Sequence, residues 1–172
     1  VYSRVRLARN WDEYVFPGKL DTARSQELVG RLKEGLKDIG ELDGHAYTCR
    51  DLNQIKDLER AALRERRILN SATVGKREPA ALLLSEDESS SLILGGDDHI
   101  RMQVLAPGLC LDELWSRADR MDDYVNERFS YAYDDKYGYL TSFPTNVGTG
   151  LRACAILHLP VLSQVRKFQS IV

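Results

Sequence analysis

Apolar and polar positions alternate from the first residue, with Val1, Ser3, Val5 and Leu7 set against Tyr2, Arg4 and Arg6. A strand sends residues two apart to one face, so the pattern predicts a strand with Arg4 and Arg6 pointing the same way. Phe16-Pro17-Gly18 breaks it. Asp21 then caps a predicted helix to about residue 37, with Leu28, Leu32 and Leu36 on one stripe. A second helix is predicted over 52–67, with Ile55, Leu58, Ala62 and Leu63 facing inward. A third is predicted over 111–131, burying Leu111, Leu114, Trp115, Ala118, Met121 and Val125. Between these two, 81–85 and 91–95 read as a hairpin around the acidic, serine-rich loop 86–90, and 100–106 as a further strand. Strands are also predicted over 139–142 and 151–159, followed by a helical tail to Val172. Strand clusters mixed with long helices imply an α+β fold with an antiparallel sheet flanked by helices. With no repeat, low-complexity tract or linker, residues 1–172 read as one domain.

Composition narrows the function classes. A hydrophobic content of 43% and a charged content of 29% over 172 residues describe an ordinary globular chain able to bury a core. A net charge of -2 argues against broad attraction to nucleic acid or to an anionic membrane. No apolar run reaches the roughly 20 residues of a membrane span. Cys49, Cys110 and Cys154 are widely spaced and form no CxxC pair, so the expected setting is the reducing cytoplasm. No His/Cys spacing suggests a zinc site, and no metal ligands are assigned. The chain begins at Val1 without an initiator methionine, which reads as an excised domain.

The chemistry concentrates in 137–153. There a Pro-Thr-Asn turn, Gly148 and Gly150 spaced by one residue, and Arg152 follow one another. Glycines let backbone amides approach a bulky group, and arginine offers a planar fork to phosphate oxygens. The segment therefore reads as an anion site, although it lacks the Gly-Lys-Ser/Thr of a Walker loop. Arg4 with Arg6, Arg101 and Arg152 each lie on or beside a predicted strand, so one sheet can gather them. Arg101 closely follows Asp97-Asp98-His99. Carboxylates beside an arginine cluster are what Mg-nucleotide chemistry requires.

Three ordered stretches carry a resemblance. Ser3-Arg4-Val5-Arg6-Leu7-Ala8-Arg9-Asn10, Asp98-His99-Ile100-Arg101-Met102-Gln103, and residues 137–153 with His158-Leu159-Pro160 resemble the ATP:guanidino phosphotransferases. These are the creatine and arginine kinases and the bacterial protein arginine kinases, and the wording is nearest the last branch. The resemblance implies a glutamine-synthetase-like catalytic domain, here C-terminally partial. It would move the γ-phosphoryl group of MgATP, with Mg2+ held mainly through the nucleotide, to a guanidino nitrogen of protein arginine side chains. It further implies a zinc-binding activator protein and the Clp protease system as partners.

By resemblance, Arg4, Arg6, Arg101 and Arg152 bind the nucleotide together with Asn146, Gly148 and Gly150. Asp97 and Arg152 are the catalytic pair. A guanidinium is protonated, with a pKa above about 12, so a carboxylate must orient it and take a proton. Asp97 is shorter than the family's Glu and follows Gly95-Gly96, a pair expected to let the backbone move inward. Arg67 stands near the family's nucleotide-contacting His, and Phe143 replaces a Cys. Two readings stand: an active protein arginine kinase domain, or a pseudokinase that keeps the nucleotide fold and works by binding a partner.

Overall fold

The computed structural model describes residues 1–75, 78–165 and 168. Strand β1 (Tyr2–Arg9) buries Ser3, Val5 and Leu7 and leaves Arg4 and Arg6 half-buried on the other face, as the alternation predicts. Helix α1 (Thr22–Gly35) starts where Asp21 accepts a hydrogen bond from the Arg24 N–H at 2.7 Å, and it buries Leu28, Val29 and Leu32. Strand β2 (Tyr47–Asp51) then leads to helices α2 (Asp57–Glu65) and α3 (Ser71–Gly75). Strands β3 (Ala81–Ser85), β4 (Ser90–Leu94) and β5 (Ile100–Pro107) form a meander. Helix α4 (Leu111–Asn126) follows, with Asp112 and Glu113 in its first turn, where the helix dipole favours acids. The two-residue strands β6 (Tyr133–Asp134) and β7 (Gly138–Tyr139) pair with each other, and β8 (Leu151–Ile156) closes the order.

The main sheet runs β2-β3-β4-β5-β1-β8, and every neighbouring pair is antiparallel. Its two faces differ. One carries Val5, Leu7, Leu83, Leu92, Leu94, Ile100, Met102 and Val104 against α1 and α4 in the larger core. On the opposite face, Leu82 and Ile93 meet Leu52, Ile55, Leu63, Ile68 and Leu69, so α2 and its flanking turns roof β3 and β4. Over β1, β5 and β8 that same face carries the arginines instead. The α+β architecture is therefore a sheet whose central strands are covered by helices on one side, while the other side is covered only over β3 and β4.

Several details depart from the pattern. Leu52–Gln54 is a separate 3-10 turn, so α2 starts later than residue 52, and Leu58 is 85% exposed. Helix α4 ends at Asn126 rather than near 131, and Trp115 is 41% exposed at the margin of its buried stripe. Of the strand expected over 139–142 only Tyr139 is in a strand, the short β7, and β8 ends at Ile156. In the tail, Leu162–Gln164 is a 3-10 turn. The rest of the helix expected there falls mostly on residues 166, 167 and 169–172, outside the described residues.

Candidate active site

The bare part of the sheet is a cationic cleft whose composition follows from register. Arg6 on β1 stands opposite Arg152 on β8, and Gln103 on β5 pairs Arg6 from the other side. Arg4 pairs Cys154 and Leu105, while Arg101 pairs Ala8. Residues directly opposite on paired strands share a face, so these side chains all rise from one surface. They border two adjoining cavities. The first, about 450 Å³, is lined by Arg6, Arg101 and Arg152 with Asp97, Asn146 and Gly150. The second, about 280 Å³, is lined by Arg4, Arg6 and Arg101 with Arg64, Arg67 and Gln103. Asn70 and Ser71 border both.

Two kinds of arginine are present on the central strands. Arg9 points into the core, is 2% exposed, and spends its guanidinium on Asp122 at 2.6 Å, the Thr149 carbonyl at 2.9 Å and the Ala8 carbonyl. It also lies over the Tyr139 ring, 3.7 Å from the centroid. The cleft arginines are the reverse. Among the described residues, Arg4, Arg6, Arg101 and Arg152 form no ion pair, and the buried Nε atoms of Arg4, Arg6 and Arg101 have no hydrogen-bond partner. Buried donors left unpaired are costly. Burial, then neighbouring Arg4 and Arg152, lowers the Arg6 pKa from its ordinary value. Burial, with Arg6 next, brings Arg101 down to about 10, opposed by Asp97. Such a patch fits a polyanion: phosphate oxygens would meet the orphaned donors and relieve the mutual repulsion.

The acid end is built by the turn between β4 and β5. The Gly95 N–H donates to the His99 carbonyl at 2.8 Å, and Gly95 sits at φ +70°. A Cβ there would come within 2.7 Å of Val29 Cγ2 and 2.9 Å of the Pro79 carbonyl. Gly95 is thus a packed turn residue, not the yielding hinge expected from the sequence. The two aspartates part company. Asp98 is buried, and its Oδ1 accepts from Asn10 Nδ2 at 2.8 Å and from the Ser142 N–H at 2.6 Å. His99 is also internal: the Trp11 N–H donates to Nδ1, so Nε2 carries the proton and donates to the Val15 carbonyl at 3.0 Å. Both aspartates border the first cavity, but Asp98 is buried with its Oδ1 taken by Asn10 and Ser142, whereas Asp97 is held only by Asn70 Nδ2 at 3.0 Å among the described residues.

The Gly-Thr-Gly loop is pinned rather than open. Gly148 exchanges both backbone hydrogen bonds with Tyr139, so its N–H is already committed, and it does not line either cavity. Gly150 does line the first, at φ +63°. A Cβ there would reach within 2.6 Å of the Ala8 carbonyl and 2.5 Å of Arg9 Nη1. Its absence lets β1 and β8 meet where Arg152 begins. Asn146 borders the cavity with a buried Oδ1 that has no partner.

Sequence reasoning missed Asn70, Ser71 and Arg64, which come from the α2–α3 region and carry no motif. Arg67 was noticed and does border the second cavity. It occupies the left-handed region, φ +64°, just beyond the end of α2. There the Ile68 N–H bonds the Leu63 carbonyl and the Arg67 N–H the Arg64 carbonyl, a helix stop usually given to glycine. Among the described residues no group of three or more His, Cys, Asp or Glu side chains is placed to hold a metal ion, and no helix is long and apolar enough to cross a membrane.

Residues 28–172 match the family described as ATP:guanido phosphotransferase, C-terminal catalytic domain. Among curated proteins, the chain is 37% identical over 161 residues to a protein-arginine kinase of Halothermothrix orenii, covering 94% of this chain and 45% of that protein. It is 36% identical over 172 residues to one of Brevibacillus brevis, covering 100% and 48%. The chain spans about half the length of the curated relatives it matches. Among solved structures it is similar to the duplicated taurocyamine kinase of Schistosoma mansoni with bound transition state analog components. That match has a TM-score of 0.84 and 25% identity, over 99% of this chain and 25% of the other. The fold is also that of lombricine kinase, with a TM-score of 0.80 and 20% identity, over 99% of this chain and 50% of the other.

Proposed function

Because the chain belongs to the ATP:guanido phosphotransferase family through its C-terminal catalytic domain, we propose that it moves the γ-phosphoryl group of MgATP to a guanidino nitrogen of protein arginine side chains. The observation that carries the reading is the set of arginines from three strands, without an ion pair among the described residues, gathered on one face beside the Asp97 carboxylate. Residues 1–172 are then part of one catalytic domain. The alternative of a domain that binds nucleotide without transferring has no observation in its favour.

In this reading Arg4, Arg6 and Arg101 bind the polyphosphate, and Arg152 reaches the transferring group from the edge strand. Fixed positive donors stabilise charge that spreads over the phosphoryl oxygens in the transition state, and they align donor with acceptor. Asp97 accepts a hydrogen bond from the substrate guanidinium, orients it, and takes its proton as the N–P bond forms and the bond from Pγ to the ADP oxygen breaks. Asn146, whose carbonyl oxygen lacks a partner, supplies an acceptor beside the nucleotide. Mg2+ would ride on the phosphates, neutralising charge on the leaving ADP. Gly150 contributes by close approach, and Gly148 by shaping the loop.

Three cysteines without disulfides suit a reducing, cytoplasmic setting. A zinc-binding activator protein and the Clp protease system are proposed as partners on the family relationship alone. The direct test is transfer from γ-labelled ATP to an arginine-rich protein by the intact gene product. Acid-labile label on arginine is expected; its absence under saturating MgATP would overturn the reading.

A further inference from the structure

We propose that Asn70 is a positioning residue for Asp97, fixing which carboxylate oxygen faces the acceptor guanidinium. The inference rests on the kinase reading above and adds a residue that none of the sequence motifs contains.

Asn70 lies in the turn between α2 and α3, borders both cavities, and uses its two amide atoms in different directions. Its Oδ1 accepts from the Thr73 N–H at 2.7 Å and from Thr73 Oγ1 at 2.5 Å, the pattern of a helix N-cap. That contact fixes the amide plane. Its Nδ2 is then aimed across the cavity mouth at Asp97 Oδ2, 3.0 Å away. Among the described residues Asp97 Oδ1 has no partner, so one oxygen is tied and the other is left for substrate. The Gly95–His99 turn holds the Asp97 backbone, and Asn70 removes the remaining freedom, rotation of the carboxylate.

A short acid needs this support. Aspartate cannot extend toward its target, so its reach depends on one rotamer, and misplacement by about 1 Å can cost about a hundredfold in rate. A cap alone requires only an oxygen acceptor, which Ser or Asp supplies equally well. The amide N–H₂ is the part that capping does not explain.

Two variants of the intact protein separate the roles, since both keep a capping oxygen and the fold. Asn70→Ser loses the reach to Asp97 without adding charge. It should lower kcat by about ten- to a hundredfold while the KM for ATP stays within twofold. Asn70→Asp sets a second carboxylate against Asp97, so the acid limb of the kcat–pH profile should move up by about one pH unit or more. Carbon NMR titration of the Asp97 carboxyl should move in the same direction in both variants, and it needs no turnover. An unmoved Asp97 titration, or wild-type kcat and pH profile in both variants, overturns the positioning role. An inactive wild type with the Asp97 titration still coupled to residue 70 overturns the kinase reading instead.

Discussion

Arg6 and Arg152 face each other across two adjacent antiparallel strands, like charge against like charge, with no carboxylate paired to either among the described residues. Directly opposed like charges weaken a sheet by roughly 0.2–1 kcal/mol. The juxtaposition therefore costs stability unless an anion lies between them. Replacing Arg152 with Ala should leave chemical-denaturation stability unchanged or slightly raised. ATP affinity should weaken by roughly 1.5–3 kcal/mol, the scale of a charge-assisted contact. Calorimetry giving wild-type ATP affinity would remove Arg152 from the site.

Asp97 is set apart from its neighbour by what it touches. Asp98 is tied inside by Asn10 and Ser142, whereas Asp97 keeps an oxygen toward the cavity. Asp97→Asn should abolish phosphoarginine formation with ATP binding changed less than threefold. Asp98→Asn should instead lower the melting temperature, because the Ser142 N–H loses its charged acceptor. Equal effects of both changes on transfer and on melting would contradict the division of labour.

Arg67 makes stability and binding pull in opposite directions. A side chain in the left-handed region costs roughly 1–2 kcal/mol, and glycine relieves it. Arg67→Gly should accordingly stabilise the fold by about 1 kcal/mol in urea denaturation. The same change should weaken ATP binding several-fold, since the second cavity loses a cation. A variant that is both more stable and fully competent in binding would mean that Arg67 does not meet the nucleotide.

The pair formed by Arg9 and Asp122 is internal, with side-chain exposures of 3% and 12%. Removing one member of such a pair leaves a buried charge uncompensated, at about 3–5 kcal/mol. Asp122→Ala should lose stability on that scale. It should also loosen the Gly-Thr-Gly loop, because Arg9 donates to the Thr149 carbonyl. Faster amide hydrogen exchange at Gly150 and Leu151 than elsewhere on the sheet would report it.

Burial holds the His99 pKa below its ordinary value, despite the Val15 carbonyl and the nearby Asp98 charge, which favour the charged form. A base buried neutral binds fewer protons folded than unfolded, so stability falls as pH drops below the unfolded value of about 6.5. Between pH 8 and pH 5.5 the loss from this group should approach about 1.4 kcal/mol at most. NMR titration showing His99 charged at pH 6.5 in the folded protein would reverse that expectation.

The fold was most legible where period and burial agree. Alternation marked β1, apolar runs on either side of an acidic loop marked β3 and β4, and leucine stripes marked α1 and α4. Strand β2 was missed because Tyr47-Thr48-Cys49-Arg50-Asp51 has no apolar face of its own and is a strand only through pairing with β3. Leu58 misled because an apolar residue on a short helix need not face the core. At the site, the arginines were readable because strand spacing and motif coincide. The Arg9–Asp122 pair was not, since its members lie 113 positions apart and only tertiary packing joins them. Asn70 carried no signal, because asparagine before a short helix looks like any other cap.

The strict two-residue alternation of β1 also polices its own assembly. A slip by one position against β5 or β8 would rotate Arg4 and Arg6 into the leucine-rich layer beneath α4 and turn Val5 and Leu7 outward to water. The guanidinium groups of the cleft thus act, whatever they bind, as a proofreading device for strand alignment that penalises misregistered chains.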